Sequence, residues 1–267
     1  MSHISFSELK EWAQCPWKHK LVYLEKIKQF QGNEYTAFGT ALHTICEHLV
    51  QKEAAGNLKD YDPHKHFQEE FLKNLQSLHA KVPEYQLNAQ LVGSMRTQGD
   101  YIIQYILPSL KKYFGVFDLV GVEEELYVPI SAQEKNFKGF IDLIVYTPDD
   151  NKYHIIDWKT CSWGWDNRKK TEKLLTYQLT LYKHFWCKKH QKNYGDVLTH
   201  FALLKRTAKK NNVEIFKVSN GNKKIENALK LLNKALYNIT KKNYIKNKLS
   251  CHHRYGTCEF YKTEHCK

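Results

Sequence analysis

Asp142 and Asp157 stand in two short apolar runs, Phe140 to Tyr146 and Tyr153 to Trp158, separated by Thr147-Pro148-Asp149-Asp150-Asn151-Lys152. β-Branched and aromatic runs with turn residues between them read as a hairpin. A turn centred between Asp149 and Asp150 places Asp142 opposite Asp157, with Cβ atoms about 5 Å apart. Lys159 follows Asp157 by two positions and falls on the same strand face. Two carboxylates this close share either a proton or a divalent cation. An edge hairpin with solvated acids is the alternative, but Ile155 and Ile156 beside Asp157 point to a strand buried on both faces.

Other residues are spaced for chemistry. His43 and Glu47 are four apart on a helical stretch, so they share a face and either bond to each other or converge on a metal. Gln178 and Tyr182 have the same spacing. Glu123 and Glu125 alternate to one face of a strand, and one of them can add a carboxylate to the site. Cys251, Cys258 and Cys266 crowd the last part of the chain, a density that buried-core use does not explain. With Cys15 as a fourth ligand they suit an iron–sulfur cluster or zinc. His252, His253 and His265 keep zinc in contention.

The elements that must position these groups can be read in order. Ser5 with Glu8 opens a capped first helix that stops near Cys15-Pro16. A second helix opens at Phe38 to Glu47 with Thr40 as cap. Residues from about Asp62 to Tyr113 form a helical insertion, broken near Pro83 and Pro108, with Leu72, Leu75 and Leu78 in its core stripe. Strands follow at Val120 to Ile130, in the hairpin, and at Val197 to Leu204 and Val213 to Val218. Between them lie a Trp-rich basic loop and a helix from Thr171 to Lys189. In the loop Trp163 and Trp165 either stack on bases or, for at least one of them, pack in the core, and Arg168, Lys169 and Lys170 can hold phosphates. A last helix runs from Lys223 to about Asn243. One domain over 1–267 is expected, with an N-terminal segment 1–37, a helical region 38–113, a core 114–204 and a basic, cysteine-bearing segment 205–267.

Composition narrows the partners. The formal net charge is +13. Between Lys205 and Ser250 there are 13 Lys or Arg against only Glu214 and Glu226. Such a segment suits a polyanion, because lysines that neutralise phosphates release counterions. The start of the chain lacks the apolar core of a signal peptide, and no run approaches the roughly 18 apolar residues of a membrane span. A soluble cytoplasmic protein, in the host cytoplasm if phage-encoded, is expected. Seven cysteines, an odd number, argue against a disulfide framework.

Gly139-Phe140-Ile141-Asp142 followed by Ile155-Ile156-Asp157-Trp158-Lys159-Thr160 resembles the core of PD-(D/E)XK nucleases, specifically the RecB-like branch, where G-x-I-D commonly precedes D-x-K-T. Gly39-Thr40 with His43 and Glu47 is similar to the first motif of that branch, and Gln178 with Tyr182 resembles its helix motif after D-x-K. One cysteine before these motifs and three after them resemble the AddB-type and CRISPR-associated members that carry a [4Fe–4S] cluster. The spacing departs from their frequent compact C-x-x-C-x-x-x-x-x-C.

The resemblance implies an α/β fold with a restriction-endonuclease-like mixed sheet flanked by helices, a helical insertion, and a cysteine-bound cluster, or structural Zn²⁺, clasping the two ends. It implies a Mg²⁺- or Mn²⁺-dependent DNA exonuclease of recombination, repair or phage DNA processing. His43, Asp142, Asp157 and the Trp158 carbonyl would hold the cation, with Asp142, Asp157, Lys159, Gln178 and Tyr182 catalytic. Tyr182 or Tyr177 would contact the nucleic-acid backbone. Cys15, Cys251, Cys258 and Cys266 would hold the cluster. DNA with single-stranded ends is the expected partner, with a helicase or recombination protein beside it. The competing reading is a non-catalytic nucleic-acid-binding module of the same fold.

Overall fold

The hairpin forms in the register that the turn dictates. Leu143 pairs with Ile156, Val145 with His154 and Thr147 with Lys152, so Asp142 and Asp157 are the next positions along the same ladder. Asn151 closes the turn with φ 56°, a left-handed conformation that asparagine tolerates better than most residues.

The computed structural model describes residues 3–27, 31–131, 133–253 and 256–267, without the side chain of His253. In chain order its elements are β1 (His3–Ser5), α1 (Phe6–Gln14), α2 (Pro16–His19), α3 (Glu34–Ala54), α4 (Pro63–Lys81), α5 (Ala89–Phe114), β2 (Asp118–Pro129), β3 (Asn136–Thr147), β4 (Lys152–Cys161), α6 (Asn167–Lys170), α7 (Lys173–His190), β5 (Val197–Lys205), β6 (Val213–Val218), α8 (Asn222–Thr240), β7 (His252–His253) and β8 (Gly256–Thr257). They fall into two compact units. One comprises Gln31–Leu126 and Phe140–Asn220; the other comprises Met1–Phe30, Tyr127–Gly139 and Gly221–Lys267.

In the first unit β3, β4, β5 and β6 follow one another across a mixed sheet. β4 and β5 are parallel, and the other two pairings are antiparallel. A parallel neighbour requires a crossover, and α7 supplies it, packing on β4 and β5. β2 pairs with β3. A single apolar core joins Phe38, Leu42 and Ile45 of α3, Phe67 and Phe71 of α4 and Ile102 and Ile106 of α5 to Leu143, Ile156, Trp158 and Ala202 of the sheet. This is the mixed α/β architecture expected from the sequence.

Several boundaries differ. α3 begins at Glu34, because Asn33 and Thr36 make a reciprocal capping box, so Thr40 lies inside the helix. Pro108 does not interrupt α5, whose buried Ile102, Ile103, Ile106, Leu107 and Leu110 hold the helix through it. Leu72 is 56% exposed, and Phe67 and Phe71 fill the expected place. Gly99 meets that pair: an added Cβ would stand 2.2 Å from the Phe67 ring. Since Phe67 is fully buried, we expect Gly99→Ala to cost about 3 kcal/mol in urea unfolding, the upper part of the range for overpacking.

A buried polar chain crosses β4 and β5. Thr147 Oγ1 meets His154 Nε2 at 2.8 Å, and His154 Nδ1 meets His200 Nε2 at 3.0 Å. His200 Nδ1 is buried without a hydrogen-bond partner. Burial, with His154 and Lys217 nearby, holds the His200 pKa down to about 3, and burial lowers His154 too. The unfolded chain therefore binds these protons first, so stability falls as pH drops from the ordinary histidine value near 6.5 toward 3. We expect His200→Gln to shrink the loss of thermal midpoint between about pH 7 and pH 4.

The second unit pairs β1 in parallel with the first residues of β3, His3 opposite Asn136 and Ser5 opposite Lys138. Ser5 Oγ accepts from Glu8 N–H at 3.1 Å, the expected cap of α1. α1 packs against α8, whose buried stripe is Ile225, Ala228, Leu232, Ala235, Leu236 and Ile239.

Candidate active site

β4 carries Asp157 and Lys159 on one face, opposite to Ile156 and Trp158, which enter the core. Lys159 Nζ lies 2.6 Å from Asp157 Oδ2. That geometry is an ion pair without hydrogen-bond alignment, and Oδ2 is buried with no hydrogen-bond partner. β3 supplies Asp142, whose Oδ2 accepts from Trp158 N–H at 2.7 Å. From α3, His43 Nδ1 lies 3.6 Å from the same Asp142 oxygen. The helix reaches β4 at Gly39, where a Cβ would stand 3.2 Å from Thr160 Oγ1. The glycine and His43, one helical turn apart, therefore serve one close approach.

The electrostatics follow from packing two acids, a lysine and an imidazole together. Burial and then the Asp157 charge raise the Asp142 pKa well above the usual carboxylate range, against Lys159 and the Trp158 N–H. Burial pulls Lys159 down, but Asp157 and Asp142 outweigh it and leave the amine raised. His43 is lowered to about 4, mainly by burial and despite Asp157. Its ring is therefore neutral near pH 7, with a nitrogen lone pair available to a cation. The Trp158 backbone, which also favours protonated His43 through a hydrogen bond, brings its carbonyl into the same site.

A cleft of about 810 Å³ opens beside His43, lined also by Tyr35, Gly39, Glu47, Glu123 and Thr160 among others. Glu123 has φ 47°, a left-handed conformation inside β2. Strain of this kind clusters at functional sites, and here it coincides with a third carboxylate: loss of solvent, Glu47 and Asp157 all raise the Glu123 pKa. Glu124 instead accepts from Trp186 Nε1 at 3.1 Å and pairs with Lys189 at 2.7 Å. Among the described residues no group of three or more His, Cys, Asp and Glu side chains is placed to hold a metal ion as it stands. The donor set nonetheless fits a hard divalent cation: a buried carboxylate whose oxygen is met by Lys159 alone, a second carboxylate beside it and a neutral imidazole.

The sequence matches the profile of the PD-(D/E)XK nuclease superfamily over residues 3–263. The chain belongs to that superfamily. Its mixed sheet with flanking helices agrees with a restriction-endonuclease-like fold. PD-(D/E)XK nucleases typically use divalent cations such as Mg²⁺. No curated protein sequence matches the chain. A crystal structure of a candidate exonuclease from Eubacterium rectale is similar at 13% identity and TM-score 0.48, covering 90% of this chain and 79% of that one. No helix among the described residues is long and apolar enough to cross a membrane.

Relative to a PD-(D/E)XK site, the remaining expected residues divide. Gln178 Nε2 donates to Tyr182 Oη at 3.3 Å, and burial above all, with Asp157 and Asp142 adding to it, raises the Tyr182 phenol. Tyr182 and Tyr177 are both buried, so neither presents itself to a nucleic-acid backbone as expected; Tyr182 borders the carboxylates instead. Trp165 packs on Phe201 and Phe216 at 5.2 and 6.1 Å, whereas Trp163 is 73% exposed. Lys170 is held by Glu214 at 2.5 Å, leaving Arg168 the more available cation of that loop.

In the other unit Cys15, Cys251, Cys258 and Cys266 line one cavity of about 20 Å³, walled by Trp17, Leu21 and Phe260. Two hydrogen bonds draw it together: Cys258 N–H donates to Cys251 O at 2.8 Å, and the Asn247 side-chain Nδ2 to Gln14 O at 2.8 Å. Burial and the other three thiols raise the Cys251 pKa. Neither His252 nor His265 lines the cavity, and the side chain of His253 lies outside the described residues. The donor set is thus four thiols around one cavity, although as they stand they are not placed to hold a metal ion.

Proposed function

We propose that the chain is a metal-dependent deoxyribonuclease that degrades DNA from its ends, in recombination, repair or phage DNA processing in the cytoplasm. The observation that carries this reading is the buried Asp142 and Asp157 pair with Lys159 at 2.6 Å from one acid and neutral His43 beside the other.

Asp142, Asp157, His43 and the Trp158 carbonyl would hold Mg²⁺ or Mn²⁺, with Glu123 close enough in the cleft to add a carboxylate. Such an ion lowers the pKa of a bound water and polarises a phosphate. The chain's own groups do the rest. Lys159, kept charged by the two acids and only partly buried, stabilises negative charge growing on the phosphorus oxygens. Asp142 is fixed by the Trp158 N–H, so the pair keeps its orientation without reorganising. Gln178 and Tyr182 support the acids from the α7 side as positioning residues. A [4Fe–4S] cluster on Cys15, Cys251, Cys258 and Cys266, or Zn²⁺ in its place, would clasp α1 to the C-terminal segment of its unit. A helicase or recombination protein would present the DNA.

The test is degradation of end-labelled single- and double-stranded DNA by anaerobically purified protein in Mn²⁺, Mg²⁺ or EDTA. Metal-dependent release of label is the expected result. Salt-sensitive DNA binding with no cleavage in any metal would move the chain to the binding-module reading.

A further inference from the structure

Three cavities of the catalytic unit are continuous in their lining. The cleft over His43 is bounded by Tyr35. Arg206 lies 4.9 Å over the Tyr35 ring and lines the next cavity, about 400 Å³, with Gln98, Tyr101, Lys209 and Asn212. Lys209 and Asn212 also line the third, about 690 Å³, with Tyr105, Lys112, Tyr113 and Lys210. The floor is the turn between β5 and β6, closed by Asn212 Nδ2 donating to Lys205 O and Ala208 O at 3.0 Å each. One wall is α5.

The chemistry of this lining is uneven in a telling way. Tyr35, Tyr101, Tyr105 and Tyr113 are each about half exposed. Lys112, Lys209 and Lys210 are exposed and have no acidic partner among the described residues. The acid in the lining of the two outer cavities, Glu214, is already paired with Lys205 at 3.0 Å and Lys170 at 2.5 Å. Asn212 is almost fully buried, yet its Oδ1 has no hydrogen-bond partner, and it faces both outer cavities. Ring faces interleaved with free ammonium groups suit a strand whose bases are unstacked and whose phosphates are accessible. A duplex stacks its bases on each other and cannot offer their faces to tyrosines.

We propose that this track, from Tyr35 past Arg206 to Lys209, Lys210, Lys112 and Tyr105, holds single-stranded DNA beyond the scissile bond. The proposal rests on the nuclease reading for its direction toward the acids. Lysines on the turn bind phosphates and tyrosines on α5 stack bases.

The experiment is fluorescence anisotropy in EDTA with labelled dT20 and a blunt duplex of the same length, with cleavage of dT20 in Mn²⁺ measured in parallel. Lys209→Ala with Lys210→Ala should weaken dT20 binding roughly tenfold and reduce the slope of log affinity against log salt by about 1.4, two single-strand phosphate contacts. Tyr105→Ala should weaken it roughly tenfold with the slope unchanged. All three residues are exposed, and a thermal melt checks each variant. Unchanged affinity and slope in both variants overturn the track, while intact wild-type cleavage then leaves the nuclease reading standing. Lowered affinity in both, in a wild type that never cleaves, supports the track and sinks the nuclease reading. Equal losses on duplex and dT20 with Tyr105→Ala overturn the single-strand assignment.

Discussion

Asp142→Asn should abolish most metal-dependent cleavage, by about a thousandfold, while leaving the metal-free protein more stable than wild type at neutral pH. The two effects come from one cause. Burial and Asp157 raise the Asp142 pKa above its ordinary value of 3.8, so the native state binds a proton that the unfolded chain has released. Stability from this group is therefore full below about pH 4 and declines as pH rises toward the raised native value. Asparagine imitates the protonated acid, keeps an acceptor for Trp158 N–H, and never ionises. The difference in thermal midpoint between variant and wild type, in EDTA, should grow as pH rises from 4 to 8. Asp157→Ala should lose activity to the same extent but without the gain, because it strips Lys159 of its nearest acid. An Asp142→Asn protein with a tenth or more of wild-type activity would remove Asp142 from the catalytic set.

Cys258→Ala should eliminate visible absorbance and sharply lower soluble yield. Four thiols line one small cavity: burial first, then the other three thiols, raises the Cys251 pKa, and burial first, then Glu259 and Cys15, raises that of Cys258. Binding a metal group to thiolates contributes directly to folding, by about 10 kcal/mol or more where structural zinc has been measured. The variant should lose iron, about four atoms per chain for a [4Fe–4S] cluster, or one zinc if that is the occupant. Elemental analysis beside the spectrum separates the two. Colourless, metal-free wild type in normal yield would dismiss the clasp.

The hairpin and its acids were legible because a turn centre and a two-residue period determine register, and Leu143 opposite Ile156 bears this out. The left-handed backbone at Glu123 was not. A left-handed backbone at a glutamate has no signature in the residue itself, so strand alternation put Glu123 and Glu125 on one face, whereas Glu123 alone enters the cleft. Tyr182 shows a second limit. Helical spacing gives the shared face with Gln178 but not the depth, and α7 is buried on more sides than an amphipathic reading allows. The β5–β6 turn was visible as a basic stretch, but its alignment with the tyrosines of α5 depends on contacts between segments about one hundred residues apart, such as Arg206 with Gln98.

The clasp also has a consequence in time. Asn247 N–H bonds to Cys15 Sγ across 232 positions of chain, and Trp17 reaches the carbonyl of His265. At ribosomal rates of about 5–20 residues per second, α1 waits roughly 10–50 s after its own synthesis for these partners. Through that interval Leu21, buried in the finished protein, lacks the other wall of its cavity, Cys251, Cys258 and Phe260. α1 is thus secured only once the segment around Asn247 has been made, long after the helix itself can form.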